Sequence, residues 1–176
     1  MIKPQEQLYI QSCLLSCLAM ITGKSMNKKQ EGEILLKGME KKYQDYTPGM
    51  LQEFTKKYKV DLKLFVHFKL YARTLAKSLA RNSQIKVIEQ KCSLPIIKKL
   101  LKNGPIIVYL DAYYMDYGYP VEHAPHFVVV EKVNDKITLV DPWDAKRKVE
   151  KIDDFKTGIQ SLAKRFKYSP LMIACK

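Results

Sequence analysis

The chain has 176 residues, with 31 Lys and Arg against 18 Asp and Glu, and a formal net charge of +13. Its 47% hydrophobic and 28% charged residues are the balance of one globular domain and exclude long disorder. No apolar run approaches the roughly 20 residues that cross a bilayer, and the first twelve residues carry Lys3, Glu6, Gln7 and Gln11 in place of a signal core, so a cytoplasmic setting is expected.

Taken in chain order, Ser12 is a fitting N-cap for a helix over 13–21 that stops at Gly23. Leu14, Leu15, Leu18, Ala19, Met20 and Ile21 lie almost all round that helix, so it should be buried. A second helix is predicted over 28–42, with Ile34, Leu35 and Met39 on one side. Thr47 and Pro48 open a third helix to about residue 59. An extended run over 60–68 precedes a helix over 69–81. A strand over 85–88 is followed by a helix that Ser93 caps and Gly104-Pro105 terminates. The β-rich run 106–110 leads into a loop over 111–125 punctuated by Gly118, Pro120 and Pro125. Two strands, 126–133 and 136–141, meet at the turn pair Asn134-Asp135. A strand over 146–152, a helix opened by Asp153-Asp154 and a last strand over 171–174 complete the chain. Helices first and antiparallel strands second read as α+β, one domain over 1–176 with a mainly helical half (1–82) and a mainly β half (83–176).

The basic excess is mostly Lys, spread in pairs such as Lys28-Lys29 and Lys98-Lys99, and reads first as solvated helix faces. An acidic partner or nucleic acid is the alternative; the lysines lack the interleaved aromatics of a nucleic-acid stacking platform, so nucleic acid is disfavoured. The cysteines Cys13, Cys17, Cys92 and Cys175 should be reduced thiols in a cytosolic chain, and the absence of a CxxC pair argues against a zinc site. No cofactor is implied.

Cys13 opens the buried helix, where free backbone N–H groups and the helix dipole favour a thiolate. It can equally be one more small apolar residue of that helix. Gln7, six residues earlier, places a side-chain amide where an oxyanion hole would form, with Gln5 and Gln11 as competitors. A two-residue turn at Asn134-Asp135 makes opposite positions sum to 269, so Val128 faces Asp141 and His126 lies one diagonal away on the same face. Such diagonals span about 7–8 Å, within reach of an imidazole and a carboxylate, whereas a three-residue loop would reverse the parity. Of the other histidines, His67 reads as a core or edge position and His123 sits in a loop without a strand to fix it.

These residues carry a resemblance. QLYIQSCLLSCLAMITG is similar to the nucleophile region of the C39-like cysteine peptidases, a papain-like group, and HFVVVEKVNDKITLVDPW resembles that family's second block. The resemblance implies a papain-like fold, with the nucleophile helix packed on an antiparallel sheet. It also implies Cys13 as nucleophile, His126 as general base and acid, Asp141 as the group orienting the imidazole and Gln7 as oxyanion donor. Cys17 becomes a packing residue. Leu14 follows the nucleophile where leader peptidases of the family commonly have Gly, and it is expected to narrow access to the thiolate. A stand-alone unit, without the transporter domain of those leader peptidases, is the expectation.

YLDAYYMDYGYPVEHAPHFVVV also looks like the amino-terminal domain of butirosin-type acyltransferases, which share the papain-like plan. The expected activity is peptide-bond cleavage through a Cys13 thioester. The alternatives are acyl transfer to an amine and a non-catalytic binding module. Tyr113, Tyr114, Tyr117 and Tyr119 of the loop before His126 are candidates to line the cleft for a peptide or protein substrate, an acidic one being suggested by the +13 charge.

Overall fold

The computed structural model describes residues 2–40, 46–117 and 121–175. Six helices are present: α1 (Cys13–Thr22), α2 (Lys28–Gly38), α3 (Tyr46–Tyr58), α4 (Lys69–Ser78), α5 (Leu94–Leu101) and α6 (Ile152–Arg165). The strands are β1 (Leu62–Val66), β2 (Ile85–Glu89), β3 (Ile106–Asp111), β4 (Pro125–Val133), β5 (Lys136–Asp141), β6 (Lys146–Lys151) and β7 (Leu171–Cys175). The protein is mixed α and β, as the order of elements suggested.

The seven strands form one sheet in the order β2-β1-β7-β3-β4-β5-β6. All neighbours are antiparallel except β1 and β2, which pair in parallel with Leu62 opposite Ile85. The purely antiparallel expectation is corrected here, because a strand–helix–strand crossover through α4 returns the chain in the same direction. The helical half therefore contributes β1 to the sheet, and β7 inserts between β1 and β3.

Strand alternation sorts two cores onto opposite faces. Ile107, Tyr109, Phe127 and Val129 pack with Leu14, Leu18, Leu51, Phe54 and Leu75 of the first four helices. Val108, Leu110, Val128 and Val130 pack with Ile97 of α5 and with Phe155 and Ile159 of α6. Helix α1 is enclosed, with Leu14, Leu15, Cys17, Leu18 and Ala19 each 0% exposed, as its all-round apolar sequence requires. It stops where Gly23, at φ 66°, lets the Lys24 N–H reach the Ala19 carbonyl at 3.0 Å.

Helix α2 opens with a capping box between Asn27 and Gln30 and ends at Gly38, four residues short of the expected end. Met39 consequently leaves the apolar stripe and is exposed, and 41–45 lie outside the described residues, as do Gly118, Tyr119 and Pro120 of the loop.

The β4–β5 hairpin departs from the two-residue turn. Val133 faces Ile137 and Lys132 faces Thr138, sums of 270 that belong to a three-residue loop. A bulge between Val130 and Lys132 then admits Glu131 as an extra residue, and Val130–Leu139 and Val129–Val140 return to 269. The parity needed at the far end of the hairpin is restored. Glu131 is held there by Arg147, whose Nε lies 2.7 Å from its carboxylate, and by the Ile2 N–H at 3.0 Å.

Among the described residues no helix is long and apolar enough to cross a membrane. Helices α2 and α3 touch backbone to backbone, where a Cβ on Gly49 would overlap the Gly38 carbonyl oxygen. Gly49→Ala should therefore cost about 2–3 kcal/mol of stability, seen as a lower urea midpoint; an unchanged midpoint would mean that this contact is looser than described.

Candidate active site at the start of the buried helix

The turn before α1 is clamped from both sides. Ser12 occupies the N-cap position, yet its hydroxyl does not cap the helix. It bonds instead to the backbone of Tyr9, at 3.1 Å from the N–H and 2.7 Å from the carbonyl, and to the carboxyl of Glu31. Glu31 is fully buried on α2 and also accepts the Leu8 N–H at 2.8 Å. Burial raises its carboxyl above the usual range, with the Ser12, Leu8 and Tyr9 hydrogen bonds opposing. The uncapped first turn of α1 leaves Cys13 partly exposed at the positive end of the helix dipole.

The segment that leads into this turn lies along the β-hairpins. The Gln7 N–H donates to the Pro142 carbonyl at 2.7 Å, and Arg147 Nη2 donates to the Ile2 carbonyl at 2.6 Å. The thiol is thereby placed beside the end of β5.

His126 and Asp141 meet as the restored register requires, with His126 Nε2 2.8 Å from Asp141 Oδ1. Asp141 is 0% exposed and His126 7%. The same carboxylate oxygen accepts the Trp143 N–H at 2.8 Å, and Oδ2 accepts from Lys148 Nζ at 3.1 Å. With Nε2 on Asp141, Nδ1 is the ring nitrogen left for the Cys13 thiol, which lines the same cavity and acts on this imidazole.

Burial alone would strip His126 of its proton. The Asp141 and Cys13 hydrogen bonds and charges outweigh it and raise the imidazole to about 9. Burial likewise disfavours the charged form of Asp141, but the His126 hydrogen bond and charge, the Trp143 N–H and Lys148 hold it well below the ordinary carboxylate range. Burial raises the other three thiols, Cys17, Cys175 and Cys92, the last to about 12. All four cysteines are free.

Cys13 and His126 open onto a cavity of about 280 Å³, whose wall includes Ile10, Tyr117, Val121, Pro125 and Trp143, with Glu122 supplying a carboxylate. Tyr117 is thus at the cleft as expected. Tyr113 and Tyr114 are not: they line a separate hollow with Glu150 and Asp154, because the short 3-10 turn Ala112–Tyr114 directs them away.

Leu14 does not narrow the entrance. It is 0% exposed in the core and is absent from the cavity wall, because the step from Cys13 to Leu14 turns about 100° round the helix.

Gln7 is the other correction: its amide nitrogen donates to the Tyr9 and Ile10 carbonyls, 3.1 Å each, and its side chain is not part of the cavity wall. It builds the turn before Cys13 in place of facing the thiol. Beyond the thiol, Tyr109 stacks on Phe127 at 4.1 Å, and its phenol is raised by burial and by the neighbouring Tyr46 and Cys13.

His123 belongs to a separate pair. Its Nδ1 lies 2.8 Å from Asp111 Oδ2, which also accepts from Ser161 Oγ at 2.6 Å. The carboxylate stands between hydroxyl and imidazole, so this arrangement ties the loop to α6 and does not activate Ser161. His67 lies apart from the site, with its Nδ1 buried and unbonded.

Sequence reasoning missed Trp143, Ile10, Val121 and Lys148. Trp143 had a signal, since it directly follows Asp141-Pro142; Lys148 had none among the lysines of β6. Among the described residues no group of three or more His, Cys, Asp and Glu is arranged to hold a metal ion.

The folded His126 keeps its proton to about pH 9, against about 6.5 unfolded. The stability this proton contributes is fully present below the lower value and lost as pH rises through the upper one. The wild type should thus lose stability relative to His126→Gln between about pH 7 and 10, measured as urea midpoints; parallel curves would contradict the proton held between Asp141 and Cys13. No family model, curated protein or solved structure matches the chain.

Proposed function

We propose that the protein is a thiol-dependent acyl-transfer enzyme that cleaves peptide bonds on a papain-like plan. One observation carries the reading: a buried imidazole bonded through Nε2 to Asp141 lines the same apolar cavity as the Cys13 thiol. With the proton already on His126, Cys13 reacts as the thiolate of an ion pair, and its sulfur attacks the carbonyl carbon. The oxyanion that forms faces the first-turn N–H groups of α1, since Gln7 is turned to Tyr9 and Ile10. His126 then protonates the leaving amine as the C–N bond breaks, and water releases the acyl group from sulfur with the now neutral His126 as base. Asp141 fixes the ring and stabilises its charged form.

The walls supplied by Ile10, Val121, Pro125 and Trp143 favour an apolar side chain beside the scissile bond. The acidic preference suggested by the +13 charge has no counterpart there, where Glu122 is the wall's carboxylate. Four free thiols suit a reducing, cytoplasmic setting.

Iodoacetamide should alkylate Cys13 well before Cys175, the other partly exposed thiol, with sites read by mass spectrometry. Cys13→Ala should abolish cleavage of a mixed peptide library, and His126→Ala should lower kcat/KM by about 10³. Equal labelling of the two thiols, or cleavage that survives Cys13→Ala, would overturn the reading. An added amine that captures the acyl group faster than water would move the assignment to acyl transfer.

A further inference from the structure

Lysine side chains seldom stay out of water, and β6 illustrates the usual behaviour with Lys146, 74% exposed. Lys148, two residues on, is only 11% exposed. Its ammonium lies 3.1 Å from Asp141 Oδ2, 3.5 Å from Asp144 Oδ2 and 3.6 Å from the centre of the Tyr117 ring. Two carboxylates and an aromatic face thus replace its hydration, and one of those carboxylates is the partner of His126.

We infer that Lys148 is a positioning residue of this site, holding Asp141 in the orientation that serves His126 and setting by its charge the pH range over which Cys13 and His126 form an ion pair. The inference rests on the proposed Cys13–His126–Asp141 reading and adds a fourth group to it.

A carboxylate can turn about its last bond and exchange its oxygens. With Lys148 on Oδ2, and His126 Nε2 and the Trp143 N–H on Oδ1, each oxygen has its own donors and the exchange is opposed. The charge has a second consequence. The groups facing His126 are Asp141 and Cys13, with Glu122 in the cavity wall; those facing Lys148 are Asp141, Asp144, Tyr117 and, along the strand, Glu150. Exposed Lys146 also reaches Asp144, at 3.8 Å, but apart from the imidazole itself Lys148 is the cation bonded to Asp141. Its removal leaves the site more negative, and both the thiol and the imidazole then hold their protons to higher pH. Tyr117 lines the cavity as well, so the ammonium joins the substrate wall to the carboxylate.

The test is the pH profile of Cys13 alkylation by iodoacetamide in the intact protein. Lys148→Met should move both inflections, thiolate formation and imidazole deprotonation, upward by about one pH unit. Lys148→Arg should leave them near their wild-type positions. Asp144→Asn removes an anion from a partly exposed turn residue and should move both inflections down, so it decides the matter even where Lys148→Met does not fold. Wild-type inflections in Lys148→Met, equal shifts in the Met and Arg variants, or no shift in Asp144→Asn would overturn the inference. A wild-type profile in which Cys13 titrates just as Cys175 does would instead remove the underlying Cys13–His126 pair.

Discussion

An aspartate carboxylate with no exposure to water is costly unless each oxygen finds donors. Asp141 meets that condition with His126 and the Trp143 N–H on one oxygen and Lys148 on the other. The consequences run outward from there. The carboxylate stays ionised, the imidazole keeps its proton in spite of burial, and the ring shares a cavity wall with Cys13. Helix α1 adds its dipole from the opposite side, so the thiol lies between two sources of positive potential. Asp111 shows what the same chemistry does without a thiol. It is equally buried, with His123, Ser161 and the Tyr113 and Ala124 N–H groups as donors, and there it secures a loop. A His–Asp pair alone therefore does not identify a reactive site; its neighbour does.

The meeting of His126 and Asp141 depends on Glu131, which has no contact with either in the hydrogen-bond network. The three-residue turn by itself would put the two side chains on opposite faces of the sheet, and the bulge cancels that slip. Glu131 also receives Arg147 and the Ile2 N–H, so the residue that corrects the register anchors the segment leading to Gln7 and Cys13. One irregular residue thus serves both halves of the site, on chain segments more than a hundred residues apart.

Legibility in the sequence followed the range of the interactions. Helix α1 was readable because its apolar residues admit no exposed face, and most strands because their runs are β-branched and bounded by turn residues. Cys13 at a helix start and His126 near Asp141 were readable from local spacing plus a register. The register itself came out at 269 for a reason the residues did not disclose, since nothing in VEKVNDK distinguishes a tight turn from a wider one followed by a bulge. The parallel β1–β2 pair and the insertion of β7 beside β3 are long-range choices without a local signature. Gln7 and Leu14 misled for a common cause: spacing along the chain fixes nearness to Cys13 but not side-chain direction, and one turned into its own loop, the other into the core.

Lys148 shows why composition hides a buried charge. In a chain with 31 basic residues, a further cation in KRKVEK carries no information, and solvation is the sensible expectation for each. Only the cost of burying an ammonium makes one of them exceptional, and that cost becomes visible only once Tyr117, Asp144 and Asp141 surround it. Its partners come from the loop before β4, the turn after β5 and the end of β5, three segments that a single point charge can hold together because an ammonium, unlike a guanidinium, imposes no planar geometry on them. The bond to Asp141 and the contact with Tyr117 are thus one arrangement. A shift of the cavity wall at Tyr117 changes the surroundings of the charge that faces Asp141, so the wall and the carboxylate are linked through the same nitrogen atom.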